Sequence, residues 1–387
     1  MNRYLFILLF SVLCGGVVSA QSTCCTDSWK KAENREPLTE AECMAVADSI
    51  HKRYVTLDSH NDAALYLNHP ERLARKVRNN AAGYTVVSGQ VSFEKMKEGG
   101  LDAGFFAIYL GQKALDQRSL DSVYTLCSTE LDLFKKYVGD HADEAEIAYC
   151  PSDLAKIKAK GKSIVVLAIE NGYPIGKELS RLDEFYNRGV RYLTLSHNSA
   201  NCICDASMDK EPERYGGLSD FGYKVIKRMN KLGMIIDVSH ASSSTLADVL
   251  ECSKAPVVAT HSGAWEMKNH KRNLTDDEMR AIAAKGGVIQ CATGRFFLSH
   301  LPKKDVTVKH LVDHIDHMKK IVGPDHIGLG TDFDGGGGVV GLEDCSKMKA
   351  ITVEMLKRGY TPEELGKFWG GNFLRVWEEI INVSKKM

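Results

Sequence analysis

Seven residues of this chain have the side chains that hydrolytic metal centres use: His60, Asp62, Glu170, His197, His240, His261 and Asp332. Imidazole and carboxylate donors without thiolates suit zinc or a similar borderline divalent cation. His60 and Asp62 stand two apart, so on an extended strand their side chains leave one face and can grip one ion. A single ion needs fewer ligands than these. A pair uses them better, with His60 and Asp62 on one ion, His240 and His261 on the other, and Glu170 bridging with one oxygen to each. Two cations about 3.5–4 Å apart can hold a hydroxide between them and polarise a carbonyl, which is what amide hydrolysis needs at neutral pH. Asp332 is then the candidate to take the proton from the attacking water and hand it to the leaving amine. His197 could hydrogen-bond the developing oxyanion. Any one of these histidines, taken alone, reads as a satisfied, partly buried side chain. Burying all seven groups in one pocket with no cation would cost several kcal/mol in desolvation.

Such convergence needs a frame. Short apolar or β-rich runs end near Tyr54–His60, Ala103–Tyr109, Ser163–Glu170, Val190–His197, Met234–His240, Pro256–His261, Gly287–Ala292 and His326–Asp332, eight in all. Helical stretches lie between most of them. Thr275 with Glu278, Thr361-Pro362 with Glu364, and Thr39 with Glu42 are capping boxes, the last opening a helix that should run to about Arg53. Strand–helix alternation calls for a parallel sheet with right-handed crossovers, and eight units favour closure into an α/β (β/α)8 TIM barrel over an open doubly wound sheet. An open sheet would more often carry a Gly-rich loop after its first strand, where His60-Asn61-Asp62 stands instead. In a barrel the C-terminal strand ends share one mouth, which is where all seven residues fall. Residues 63–102, 110–162 and 198–220 are long excursions expected to wall the pocket. The expected organisation is a signal peptide over 1–20, an N-terminal extension and helix over 21–53, and one metallohydrolase barrel with C-terminal helices over 54–387.

Other clusters carry less. His310, His314 and His317 share one helix face, but that helix reads as an outer one, away from the mouth. Gly335-Gly336-Gly337-Gly338 lacks the Lys-Ser/Thr pair of a phosphate cradle and reads as a flexible rim loop. Gly370-Gly371-Asn372 reads as a turn and helix cap.

The 387 residues are 44% hydrophobic and 26% charged, with 50 basic residues balancing 50 acidic ones, which excludes disordered and collagen-like classes. No long Lys/Arg run is present, so a nucleic-acid partner is not expected and a small molecule is. Arg3, an apolar run from Tyr4 to Leu13 and Val18-Ser19-Ala20 form an export signal expected to be cleaved before Gln21. The apolar run is too short to span a bilayer, and bulky Leu13 disfavours lipidation of Cys14. The polar C-terminus lacks a glycolipid-anchor tail. A periplasmic or secreted protein, without stable membrane insertion, is the expectation. Cleavage leaves ten cysteines, an even number for which some disulfides are expected.

His60-Asn61-Asp62, Ile169-Glu170, Leu193-Thr194-Leu195-Ser196-His197, Ile236-Asp237-Val238-Ser239-His240, Thr260-His261-Ser262, Arg272-Asn273, Gly330-Thr331-Asp332-Phe333-Asp334-Gly335 and Gly370-Gly371-Asn372 occur in the order found in the membrane dipeptidase (renal dipeptidase) family of zinc peptidases, which this chain resembles from roughly residue 54 to 380. The resemblance implies a barrel dipeptidase with two zinc ions bridged by Glu170, the ligand and acid–base roles given above, and Arg272 binding the free carboxylate of a small dipeptide substrate. A planar guanidinium suits that role because it can meet both oxygens. The resemblance leaves room for a homodimer. Two features depart from the family's pattern. Glu170 is followed by Asn171 before Gly172, where the family often has glycine directly. The segment Cys291-Ala292-Thr293-Gly294-Arg295 lacks the aromatic residue that mammalian members place near the substrate. The alternatives are another binuclear-metal amidohydrolase acting on lactams, lactones or N-acyl amino acids, or an inactive barrel with a binding role. Dependence on Arg272 separates the first of these, and metal content with a dipeptidase assay the second.

Overall fold

The computed structural model describes residues 38–73, 78–79, 85–86 and 89–387. The expected signal peptide, residues 21–37, and Cys14, Cys24 and Cys25 lie outside them. Eight parallel strands follow one another around the sheet in chain order: β1 Leu57–Asn61, β2 Ala103–Tyr109, β3 Ser163–Glu170, β4 Val190–Thr194, β5 Ile235–Asp237, β6 Val258–Ser262, β7 Val288–Cys291 and β8 Ile327–Leu329. They fall on the eight runs read from the sequence. A further short strand, Ala145–Ile147, lies beside the first residues of β3, while β4 covers its upper half. The cylinder closes just past the ends of β8 and β1, where Asp332 N–H donates to His60 O at 3.0 Å and Asp62 N–H to Phe333 O at 2.8 Å.

Alternation along each strand sorts side chains between two cores. In β2, Ala103, Phe105 and Ala107 join Ile164, Val166 and Ala168 of β3 in one buried cluster, while Phe106 and Ile108 join Val165, Leu167 and Ile169 in the other. The first cluster fills the barrel's lower interior. The C-terminal helix plugs it there, with the Phe373 and Trp377 rings 4.9 and 5.5 Å from that of Phe105. The second lies under the outer helices, where Phe106 meets Phe134 at 5.3 Å. By the same parity Tyr109 and Glu170, the last residues of β2 and β3, point inward at the top.

The helices begin where the capping chemistry places them. Complete capping boxes open α1 (Glu40–Arg53) at Thr39, Asp276–Ala284 at Thr275, and Pro362–Gly366 at Thr361. His51 ties α1 to the barrel, donating from Nδ1 to Gly100 O at 3.0 Å and accepting the Thr352 hydroxyl at Nε2 at 2.7 Å. The histidine cluster lies in an outer helix, α2 (Val308–Val322), and its members take separate partners. His314 is buried between Ala264 N–H and Leu298 O, His317 faces Asp276 at 2.7 Å, and His310 accepts Thr307 N–H.

Two expectations are corrected. Gly370-Gly371-Asn372 is no turn: a π-helical segment, Lys367–Gly371, runs straight into the last helix, α3 (Asn372–Ser384). Gly370 is demanded by close approach, because a Cβ there would strike Val55 O, and Asn372 donates from Nδ2 to Pro324 O and Ile327 O. The expected disulfides are also absent among the described residues, whose eight cysteines are all free thiols. Most are buried among apolar side chains, and burial pushes the Cys127 and Cys204 thiols up to about 12. No helix among the described residues is long and apolar enough to cross a membrane.

Candidate active site

All seven residues meet at the barrel mouth, the four imidazoles around one atom, Glu170 Oε1. His240 Nε2 lies 3.0 Å from it, His261 Nε2 3.4 Å, His60 Nε2 3.9 Å and His197 Nε2 4.0 Å. His60 Nε2 is also 3.6 Å from Asp62 Oδ2 and 3.9 Å from Asp332 Oδ1. The donor atoms fall into three groups, each within 4.8 Å: His60, Glu170 and His261; Glu170, His197 and His240; and His60, Asp62 and Asp332. Glu170 is common to two of these and His60 to two.

Two buried carboxylates that the sequence reading passed over hold this arrangement. Asp237 accepts from Ser239 N–H and Thr260 N–H, both at 2.9 Å, and from the Thr194 and Thr260 hydroxyls at 2.6 and 2.7 Å, lacing β4, β5 and β6 together. The Thr260 proton is thus committed to Asp237, so its oxygen accepts Nδ1–H of His261 at 2.8 Å and leaves the Nε2 lone pair facing Glu170. Asp58 does the same on the other side, accepting Thr331 N–H and hydroxyl at 2.7 Å each. Tyr192, inside the barrel, meets His60 Nδ1 with its hydroxyl at 2.6 Å. The signal in the sequence was the recurring aspartate two or three residues before a ligand-type histidine, Asp58 before His60 and Asp237 before His240.

Backbone strain gathers at the same place. Among the described residues the non-glycine residues with positive φ are Asn171 (74°), His240 (68°), Asp332 (58°) and Asp334 (64°). Each costs on the order of 1–2 kcal/mol, a cost the surrounding structure sustains at functional sites. The strain also explains the departure after Glu170. The position requires a left-handed backbone, which asparagine tolerates, and Asn171 Oδ1 then accepts from Tyr173 N–H and Asn201 Nδ2.

The pocket's electrostatics favour neutral imidazoles at His197, His240 and His261, the form that ligates metal. Burial, and then the Arg272 guanidinium, hold His240 well below the ordinary value and bring His197 to about 4; burial and then His60 do the same to His261. Burial opposes protonation of His60 too, but Glu170 and Asp62 outweigh it and push it up to about 10. Burial, and then Asp62, raise Glu170 well above the carboxylate range, and burial raises Asp332 to about 7. His60 Nε2, Asp62 Oδ1 and His240 Nδ1 are buried without a hydrogen-bond partner, and the His240 and His261 Nε2 atoms face each other at 3.0 Å. The unpaired His60 Nε2 and Asp62 Oδ1, beside imidazole Nε2 atoms gathered on a shared carboxylate, fit divalent cations.

The mouth opens into a cleft of about 480 Å³. Arg272 lines it, buried, with one amino group donating to His261 O at 3.0 Å and its Nε unpartnered. Phe296 and Phe297 line it too, so the aromatic surface missing from 291–295 is supplied just beyond that segment. The expected flexible rim loop is instead a tight turn. The N–H groups of Gly335, Gly336 and Gly337 all donate to Asp332 O, and a Cβ at Gly335 would collide with the Asp62 and Asp332 carboxylates. Asp334 pins this turn by accepting the backbone N–H groups of Gly89, Gln90 and Val91.

Residues 44–387 match the family described as membrane dipeptidase, peptidase family M19. The chain is 32% identical over 306 residues to the dipeptidase tcpJ of Claviceps purpurea, covering 77% of this chain and 71% of that one. It is also 32% identical over 356 residues to the uncharacterized dipeptidase C965.12 of Schizosaccharomyces pombe, covering 87% and 84%. The crystal structure of the probable dipeptidase PvdM from Pseudomonas aeruginosa superposes with a TM-score of 0.78 at 28% identity, over 89% of this chain and 99% of that one. With its ligand-type residues gathered at the mouth of a TIM barrel, this chain belongs to the membrane dipeptidase family, M19, and is a metallo-dipeptidase.

Proposed function

We propose that the protein hydrolyses small dipeptides bearing a free C-terminal carboxylate, in a site that holds two zinc ions through His60, Asp62, Glu170, His240 and His261, with Glu170 between them. The observation that carries this reading is the approach of four imidazole Nε2 atoms to Glu170 Oε1 within 3.0–4.0 Å. Divalent cations bound there would supply Lewis acidity to the scissile carbonyl and lower the pKa of water. The chain's own groups do the rest. Arg272 accepts the substrate's carboxylate at its unpartnered Nε face, fixing which amide reaches the mouth. His197, whose Nδ1 lies 3.3 Å from the Tyr109 hydroxyl, hydrogen-bonds the carbonyl oxygen as charge develops on it. Asp332, half-buried and strained beside His60, takes a proton from the attacking water and delivers it to the leaving nitrogen. The small cleft excludes longer peptides. The export pattern of residues 1–20 supports action in the periplasm or outside the cell, and a mature protein beginning at Gln21 is the matching result.

Metal analysis of the zinc-supplemented protein, with dipeptides assayed beside their C-terminal amides, tests this reading. Two zinc ions per chain are expected, and Arg272→Met should raise KM for dipeptides by about tenfold or more while sparing the amides. One ion per chain, or an equal effect on both substrates, rejects the respective half.

A further inference from the structure

Resting on the reading that Arg272 binds the substrate carboxylate, we propose that Phe297 is the positioning residue for Arg272 and that Gly294 is glycine so that the Phe297 ring can take that place. Arg272 makes few polar contacts of its own. One amino group reaches His261 O at 3.0 Å, and its Nε has no partner. What remains to orient the guanidinium is an aromatic face: its central carbon lies 5.5 Å from the centroid of the Phe297 ring, within cation–π range. The ring is itself fixed from three directions. The His270 ring packs on it at 4.9 Å between centroids. Its backbone is held by Phe297 N–H donating to Gly294 O at 2.9 Å and by Phe297 O accepting from Asn273 Nδ2 at 2.8 Å. Beneath it lies the bare backbone of Gly294.

Gly294 has φ −63° and ψ 117°, a conformation open to any residue, so its backbone does not require glycine. Space does. A Cβ on Gly294 would stand 2.8 Å from both Cδ2 and Cε2 of Phe297, closer than side chains tolerate. The ring therefore occupies the volume that a side chain at 294 would fill. Asn273, adjacent to Arg272, completes the device by also donating to Lys268 O at 2.8 Å, so one amide clamps the segment carrying the arginine to the segment carrying the ring.

The experiment compares Phe297→Leu, Phe297→Tyr, Gly294→Ala and Arg272→Met, as zinc-loaded full chains, on a dipeptide and on its C-terminal amide. Phe297→Leu keeps bulk and removes the π face; it should raise KM for the dipeptide about 5–20-fold, with kcat within about twofold and a clearly smaller shift in KM for the amide. Gly294→Ala should shift KM the same way by displacing the ring. Phe297→Tyr, which restores a ring, should return KM to within about threefold of the parent. A purely structural role would lower kcat and thermal midpoint together and would treat both substrates alike. If Arg272→Met raises KM selectively while Phe297→Leu and Gly294→Ala do not, the positioning role is overturned and the carboxylate reading stands. If Arg272→Met affects both substrates equally, the carboxylate reading falls and this inference with it.

Discussion

His314 in α2 and His261 at the end of β6 are both buried, and burial pulls both below the ordinary imidazole value, His314 to about 4. Around His314 the accounting closes: Nδ1 accepts Ala264 N–H at 3.0 Å and Nε2–H donates to Leu298 O at 3.1 Å. Around His261 the neighbours are of another kind: its Nδ1 is fixed by Thr260, and its Nε2 faces the Glu170 carboxylate at 3.4 Å and the His240 Nε2 at 3.0 Å. Burial and pKa direction therefore do not distinguish the two histidines; the company of their ring nitrogens does, backbone groups for His314 and other ligand-type side chains for His261.

The contrast can be pressed experimentally. Its largest consequence concerns Asp332, which shares the unsatisfied pocket without needing to be a ligand: Asp332→Asn should lower kcat about 10³-fold while the protein keeps its metal, read by steady-state kinetics and metal analysis. Loss of metal instead would move Asp332 among the ligands. Next, His314→Ala should lower the unfolding free energy by about 2–4 kcal/mol in urea titrations, because it strands a buried donor and acceptor, yet leave metal content and kcat/KM unchanged. His261→Ala should show the reverse pattern, and identical phenotypes would erase the distinction. The smallest effect is in pH. His51 and His314 both titrate near 4 when folded, against about 6.5 unfolded. Between those values the unfolded chain binds more protons, so stability falls as pH drops, by about 1 kcal/mol for each histidine between pH 6.5 and 5.5. Replacing His51 with Gln should flatten its share of that slope.

Much of this was legible in the residues themselves. The strand runs were readable because parallel barrel strands are buried on both faces, as in Ser163–Glu170, and because ligand-type residues mark their ends. Asp58 and Asp237 were passed over because a carboxylate two or three residues before a histidine looks like another donor until its hydrogen bonds are traced to Thr331 and Thr260. Phe296 and Phe297 were missed because the segment before them was read for an aromatic at one position, whereas the ring reaches the same space from further along the chain. Gly335 and Gly370 were read for freedom, though each is glycine for lack of room.

The seam where the cylinder closes is made by the main chain of His60, Asp62, Asp332 and Phe333. Completing the fold and completing the catalyst are thus one event. A nascent chain that has not yet delivered its eighth strand lacks both a closed wall and Asp332, the proposed proton-transfer group, and on that proposal peptidase competence follows the final docking of the C-terminal third.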